Sequence, residues 1–339
     1  MYVKDMPDVQ PLGYRYDHFV CKRHFPLKRH LHMWTDVFRR HKYYPDYNRN
    51  YTIEQLEKGD FDILHPTYFD DYFLPYLKGK PFVLTVHDMI PELFPQYFRR
   101  DDFQIVQKRK LAPLASAIVA VSENTKKDVV RLLKVPEEKV HVIYHGCSFP
   151  STGEGTSVPD FPYVLFVGAR GEYKNFVPFT TNMVSVLNRH KNLHIVCTGW
   201  PFSSEEQKLF ETLGIQSRMI HRWVNDDSEM FALYHHAVCF VYPSEYEGFG
   251  IPILEAYKAG CPVMLNRASC FPEIAGDAAV YFKMSRNHSD FAEQLEMVLS
   301  MGTTEKETLL AKQRKRLARY SWEKSAMQLA QLYSSMPQT

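Results

Sequence analysis

The chain has 339 residues, 45% of them hydrophobic, more than one core usually holds, which predicts two domains. A formal net charge of +2 excludes a polyanion binder as a whole, and no nucleic-acid partner is expected. Six cysteines without a C-x-x-C pair, no apolar run of the ~20 residues a bilayer span needs, and no apolar signal core at the N-terminus predict reduced thiols and a cytoplasmic location.

The stretch 15–49 is dense in Lys, Arg and His interleaved with aromatic residues, including Lys22-Arg23, Lys28-Arg29 and Arg39-Arg40. It suits either a solvated helical face or a face for anionic lipid at the inner side of a membrane, where each basic residue adds ~1 kcal/mol. Asp60-Phe61-Asp62 fits the D-x-D pattern of divalent-cation sites. It opens a strand, however, and so lies at the wrong end of a parallel sheet for a ligand; no metal is expected. Residues 61–64, 82–86 and 117–121 are short apolar strands followed by polar or helical sequence, and 140–144 is a fourth. His87 comes just past the second of these, where an α/β active site would want it, although a histidine there also serves as a hydrogen-bonded structural residue. Ser122 begins a helix, and N-capping alone explains it.

Residues 151–162 are rich in Gly, Pro, Ser and Thr and read as a linker between domains at 1–150 and 163–320. The pattern restarts with strands at 163–167, 193–198, 218–221, 238–242, 263–265 and 279–282, an alternation that gives parallel sheets with ligands beyond the carboxyl ends of the strands. Behind the first of these strands, Arg170 and Lys174 place two cations near a glycine turn. That arrangement suits a pyrophosphate leaving group, because fixed cations stabilise the charge that grows on it as the bond breaks; standing alone, it is equally a solvated loop. The closing stretch 321–336 is amphipathic, with Trp322, Met327, Leu329, Leu332 and Tyr333 to bury, and could cap either domain.

The most informative stretch is 243–255, P-S-E-Y-E-G-F-G-I-P-I-L-E. A buried strand precedes it, Gly248 and Gly250 permit a sharp turn, Pro252 suits the first turn of a helix over 251–259, and Gly260 stops that helix. Unpartnered amides near Phe249, Gly250 and Ile251 can hold a phosphate. Glu247 in the loop and Glu255 about one turn into the helix can meet the two ends of one ligand, and a carboxylate that accepts from two hydroxyls suits a sugar.

At these residues the chain resembles the retaining GT-B glycosyltransferases of the group 1 class (family four), which carry E-G-F-G-x-x-x-x-E; the resemblance runs from about residue 61 to 333. It implies an α/β fold of two Rossmann-like domains facing a cleft, with the last helix crossing back to the first. It implies that Glu247 contacts the donor sugar, Glu255 the ribose, and Arg170 and Lys174 the pyrophosphate. His87 would approach the sugar from the opposite domain, Ser122 would lie near phosphate or acceptor, and 222–226 would lie by the base. The implied reaction moves a hexose, mannose-like, from a GDP- or UDP-linked donor to a glycan or lipid-linked acceptor with retention. Bacterial enzymes of surface polysaccharide and lipopolysaccharide synthesis are of this type, with no obligatory metal or cofactor. Relatives start with a strand and a glycine-rich turn, whereas Gly13 is the only glycine here before Gly59, so the N-terminal domain is expected to be incomplete. That departure sustains a second reading, a catalytically impaired nucleotide- or glycan-binding partner or scaffold; an epimerase of the same architecture finds no support around Glu247.

Overall fold

The computed structural model describes residues 43–66, 68–153, 157–285 and 288–336, so the basic stretch 15–49 lies outside the described residues up to position 42. After helix α1 (Tyr43–Lys58), three apolar strands, β1 (Val83–Val86), β2 (Ala117–Ala120) and β3 (Val140–Val142), pair in parallel in the order β1-β2-β3. Helices α2 (Ile90–Leu93) and α3 (Phe103–Leu114) connect β1 to β2, and α4 (Glu123–Leu133) connects β2 to β3. The strand expected at 61–64 shrinks to one parallel bridge, Leu64 to Phe82. Pro81 opposite it has no N–H for a ladder, and the Lys80 ammonium takes the carbonyls of Gly59 and Phe61 instead.

The second sheet contains β4 (Tyr163–Phe166), β5 (His194–Cys197), β6 (Met219–His221), β7 (Cys239–Tyr242), β8 (Val263–Asn266) and β9 (Val280–Phe282), all parallel in the order β6-β5-β4-β7-β8-β9. β4, β5, β7 and β8 are buried on both faces apart from His194, as the near-continuous apolar runs predict. One face packs on α5 (Phe176–Arg189) and α10 (Phe291–Leu299), the other on α7 (Asp227–His236) and α8 (Ile251–Lys258). The remaining helices are α6 (Ser204–Leu213), α9 (Phe271–Ala275), α11 (Thr303–Leu317) and α12 (Trp322–Ser334). The order of connection reverses between β4 and β7, and at such a switch point the crevice beyond the strand ends takes the ligand.

The last helix reaches back to the first sheet. Leu332 packs with Val83, Ala117, Val119 and Ile143, the Tyr333 hydroxyl lies 2.5 Å from His65 Nδ1, and the Ser325 hydroxyl donates to the Tyr144 carbonyl. Among the described residues no helix is long and apolar enough to cross a membrane.

Candidate functional site

The loops that leave β4 and β7 are stitched together at the switch point. Asn175 adopts a left-handed φ of 55°, which asparagine tolerates better than most residues, and its side chain donates to the Pro243 carbonyl at 3.1 Å. Asn266, at the end of β8, donates to the carbonyls of Pro243 and Ser244 at 3.3 and 3.2 Å, and the Glu245 amide donates to the Tyr173 carbonyl at 2.8 Å. These bonds bring Lys174 Nζ to 2.5 Å from Glu247 Oε1, with the two side chains only 16% and 11% exposed. The ammonium also lies over the rings of Tyr173 and Tyr242, at 5.1 and 5.7 Å. Burial first, then the Glu247 charge, raises the Tyr242 phenol well above its ordinary pKa, so it stays a hydrogen-bond donor to that carboxylate. The Glu247 amide donates to the Ser269 hydroxyl at 3.1 Å.

Beyond Glu247 the chain turns at Gly250, whose φ of 91° is one that side chains rarely adopt, and enters α8 with Ile251 exposed and Phe249 buried. Glu255 sits further along α8, where Tyr234 of α7 donates to its Oε2 at 3.1 Å. Burial raises the Glu255 pKa, and the tyrosine hydrogen bond opposes the rise. The two carboxylates thus occupy the β7 loop and the α8 helix, with the first-turn amides of α8 between them in sequence.

Gly248 is the point where the domains touch. A Cβ there would lie 1.7 Å from the His87 carbonyl oxygen, so only glycine fits. Its own carbonyl accepts from the hydroxyls of Ser122 and Thr125, at 2.6 and 3.2 Å. Glu273 of α9 reaches across to α4, accepting from the amides of Glu123 and Asn124 at 2.7 and 3.0 Å, and so satisfies two donors the helix leaves open. Asn124 donates to the Tyr246 hydroxyl, which donates to Asp128 at 2.7 Å.

His87 stands at the end of β1 beside this contact, its ring stacked on His145 with centroids 5.6 Å apart. By surface area it is exposed, yet protein surrounds most of the ring, and that partial desolvation lowers its pKa. His145, packed against Phe249 and Trp322, is pushed down to about 4 by burial and then by His87.

Two expected donor contacts have other partners in the structure. The Arg170 guanidinium pairs with Glu206 at 2.6 Å, donates to the carbonyls of Thr198, Trp200 and Pro201, and lies over the rings of Phe176 and Phe202. It clamps the β4 loop to α6, because Glu206, fixed as part of the α6 capping box, offers a carboxylate that the fork of nitrogens fits. Ser122 is fully buried; its hydroxyl donates to Gly248 and caps α4 by accepting from Thr125 N. Lys174, Glu247, Gly248 and His87 converge at the domain contact, with Phe249, Gly250 and Ile251 leading into α8 and Glu255. Sequence reasoning missed Tyr173, Tyr242, Asn266, Ser269 and Glu273; of these, Tyr242 and Asn266 were marked by their positions at the carboxyl ends of strands.

Residues 153–322 match the family model described as glycosyl transferases group 1, and residues 10–148 match that of Glycosyltransferase Family 4. The O-antigen chain mannosyltransferase RfbU of Salmonella typhimurium is 27% identical over 208 residues, covering 61% of this chain and 58% of that protein. The O-antigen chain mannosyltransferase B of Escherichia coli is 27% identical over 236 residues, covering 62% and 59%. The chain therefore spans less than two thirds of the length of either relative. Among solved structures, a glycosyltransferase from Rickettsia africae superposes with a TM-score of 0.65 at 17% identity, covering 85% of this chain and 80% of that one. Anabaena HepE, solved with UDP and glucose, superposes at 0.67 with 17% identity, covering 85% and 81%. At such identities the likeness is one of fold, and that fold is GT-B.

Proposed function

The chain belongs to the group 1 glycosyl transferases, and on that premise we propose that it transfers a hexose, mannose favoured, from a GDP- or UDP-linked donor to a glycan or lipid-linked acceptor with retention. Such a reaction would serve cell-surface polysaccharide synthesis at the cytoplasmic face of the membrane. The observation that carries the reading is the Lys174–Glu247 pair at 2.5 Å, held at the switch point of the second sheet with His87 beside it from the first domain.

A diphosphate bound against the first turn of α8 would draw the Lys174 ammonium toward its oxygens. Lys174 then stabilises the charge on the departing phosphate, and Glu247, released from it, accepts from donor hydroxyls. Glu255, a carboxylate Tyr234 already orients, would receive the ribose hydroxyls. His87, whose pKa partial desolvation lowers, can hydrogen-bond the hexose with less tendency to add charge next to the leaving group. Retention, the mannosyl preference and the acceptor rest on family membership and on the names of the relatives.

The test is incubation of the purified chain with a panel of GDP- and UDP-sugars, following nucleotide diphosphate release and transfer to a lipid-linked saccharide. Transfer with retained anomeric configuration supports the proposal. Tight nucleotide binding without turnover would instead favour the impaired, partner-binding reading. No binding of either nucleotide would reject the transferase reading.

A further inference from the structure

The turn that follows β1 buries a charge pair whose bonding capacity is only half used. The side chains of Lys108 and Glu92, 0% and 3% exposed, pair at 2.8 Å, and Lys108 also donates to the Asp88 carbonyl at 3.2 Å, one residue from His87. Glu92 Oε1 is left buried with no hydrogen bond among the described residues. An oxygen in that position is costly unless a donor reaches it.

Glu92 belongs to the lining of a cavity of about 290 Å³ between α2 and the start of α3, whose apolar walls include Pro95, Phe98 and Ile105 and whose other polar residues are Arg100 and Arg109. Arg99 and Lys110 beside them pair with Asp101 and Asp71, but Arg100 and Arg109 are exposed and have no carboxylate partner among the described residues. Apolar walls with a few polar groups are the make-up of a small-ligand pocket, and this volume lies at the low end of the range, enough for one sugar ring rather than a chain.

Those polar groups select the ligand. Two guanidinium forks fit phosphate or carboxylate oxygens. Lys108 already neutralises Glu92, so Oε1 suits a neutral hydroxyl, whereas an ammonium there would stand beside a like charge. A molecule that offers both an acidic group and hydroxyls is an acidic sugar. The cavity also borders the cleft: Phe94, at the end of α2, packs on Tyr173 and Tyr246 of the second domain with centroids 5.7 and 6.3 Å apart.

We propose that this cavity holds an acidic sugar unit of the acceptor, a phosphorylated or carboxylated hexose, with Arg100 and Arg109 on its anionic group and Glu92 Oε1 on a ring hydroxyl. Calling that sugar part of the acceptor rests on the transferase reading; the preference of the cavity for an acidic sugar does not.

The experiment titrates the full chain with mannose 6-phosphate, glucuronic acid, mannose and inorganic phosphate at constant ionic strength, followed by saturation-transfer NMR. Both acidic sugars should bind at least about tenfold more tightly than mannose or phosphate, each of which keeps only part of the contacts. An Arg100→Ala/Arg109→Ala variant should bind the acidic sugars about 100-fold more weakly, while its thermal midpoint and its affinity for GDP and UDP hold, since both side chains are exposed. Equal affinity for mannose or for phosphate alone overturns the proposal, as does binding that the double variant retains, or no saturable binding of either acidic sugar up to about 10 mM. In transfer assays, acceptors that carry a phosphorylated or carboxylated hexose should be preferred at least about tenfold in kcat/KM by the wild type and not by the double variant. Transfer that ignores the acidic group overturns this inference alone. Acidic-sugar binding as expected, with no release from any donor, overturns the transferase reading and leaves the acidic-sugar site standing.

Discussion

Gly248→Ala adds one methyl group at the tightest point between the domains. The new Cβ would lie 1.7 Å from the His87 oxygen and 2.9 Å from its carbonyl carbon, where contacts under 3.0 Å are not tolerated. Backbone conformation is not the obstacle, since Gly248 lies outside the left-handed region. The loop must therefore withdraw from the first domain by more than about 1 Å, the scale of displacement that costs about 100-fold when it separates reacting groups. Withdrawal also breaks the hydrogen bonds from Ser122 and Thr125, at about 1 kcal/mol each. The expected outcome is a kcat about 100-fold lower, a more open particle by small-angle scattering, and a Kd for nucleotide diphosphate within about threefold of wild type, because Lys174 and Glu255 both belong to the second domain. A variant with wild-type kcat and wild-type scattering would refute the claim that this contact assembles the site.

Glu255→Ala should weaken nucleotide diphosphate binding by about 10- to 100-fold in calorimetry, the usual scale for hydrogen bonds to a charged acceptor; unchanged affinity removes it from the ribose site. Lys174→Ala should lower kcat far more than it raises KM, whereas a pure KM effect would argue against transition-state stabilisation. Arg170→Ala should cost about 1–3 kcal/mol of stability in urea titrations, by removing a charged donor from the half-buried Glu206; a loss of nucleotide affinity without a loss of stability would assign Arg170 to the pyrophosphate. Acid should destabilise the first domain through His65 and His145. Burial lowers both from 6.5 to about 4, so the stability tied to their neutral forms is complete above pH 6.5 and lost as pH falls toward 4. The ceiling is about 3 kcal/mol each; a urea midpoint flat between pH 7 and 5 would exclude it.

What was legible in the sequence was local. The turn and helix of 243–259 are dictated by Gly248, Gly250, Pro252 and Gly260 in one continuous stretch, and helix α8 ends within a residue of the expected bound. The central strands of the second sheet were readable because β4, β5, β7 and β8 are short apolar runs buried on both faces apart from His194. The partners of Arg170 and Ser122, Glu206 and Gly248, were not legible, because they lie far away in the chain and no spacing rule announces that a cation or a cap has a partner. The strand at 61–64 failed for a similar reason: its composition is right, but the residue it must pair beside is Pro81. Glu273 shows nothing in sequence, since its role exists only when α9 meets α4.

Under the proposed function, Lys174 and Glu247, brought together at the β4–β7 switch point, form the catalytic end of a donor site. That assignment is tested most directly by measuring nucleotide diphosphate release from GDP-mannose and UDP-sugars by the wild-type chain and by Lys174→Ala side by side. The wild type should release nucleotide diphosphate from at least one donor, and the variant about 100-fold more slowly despite retained nucleotide binding. Equal release by both proteins would contradict it.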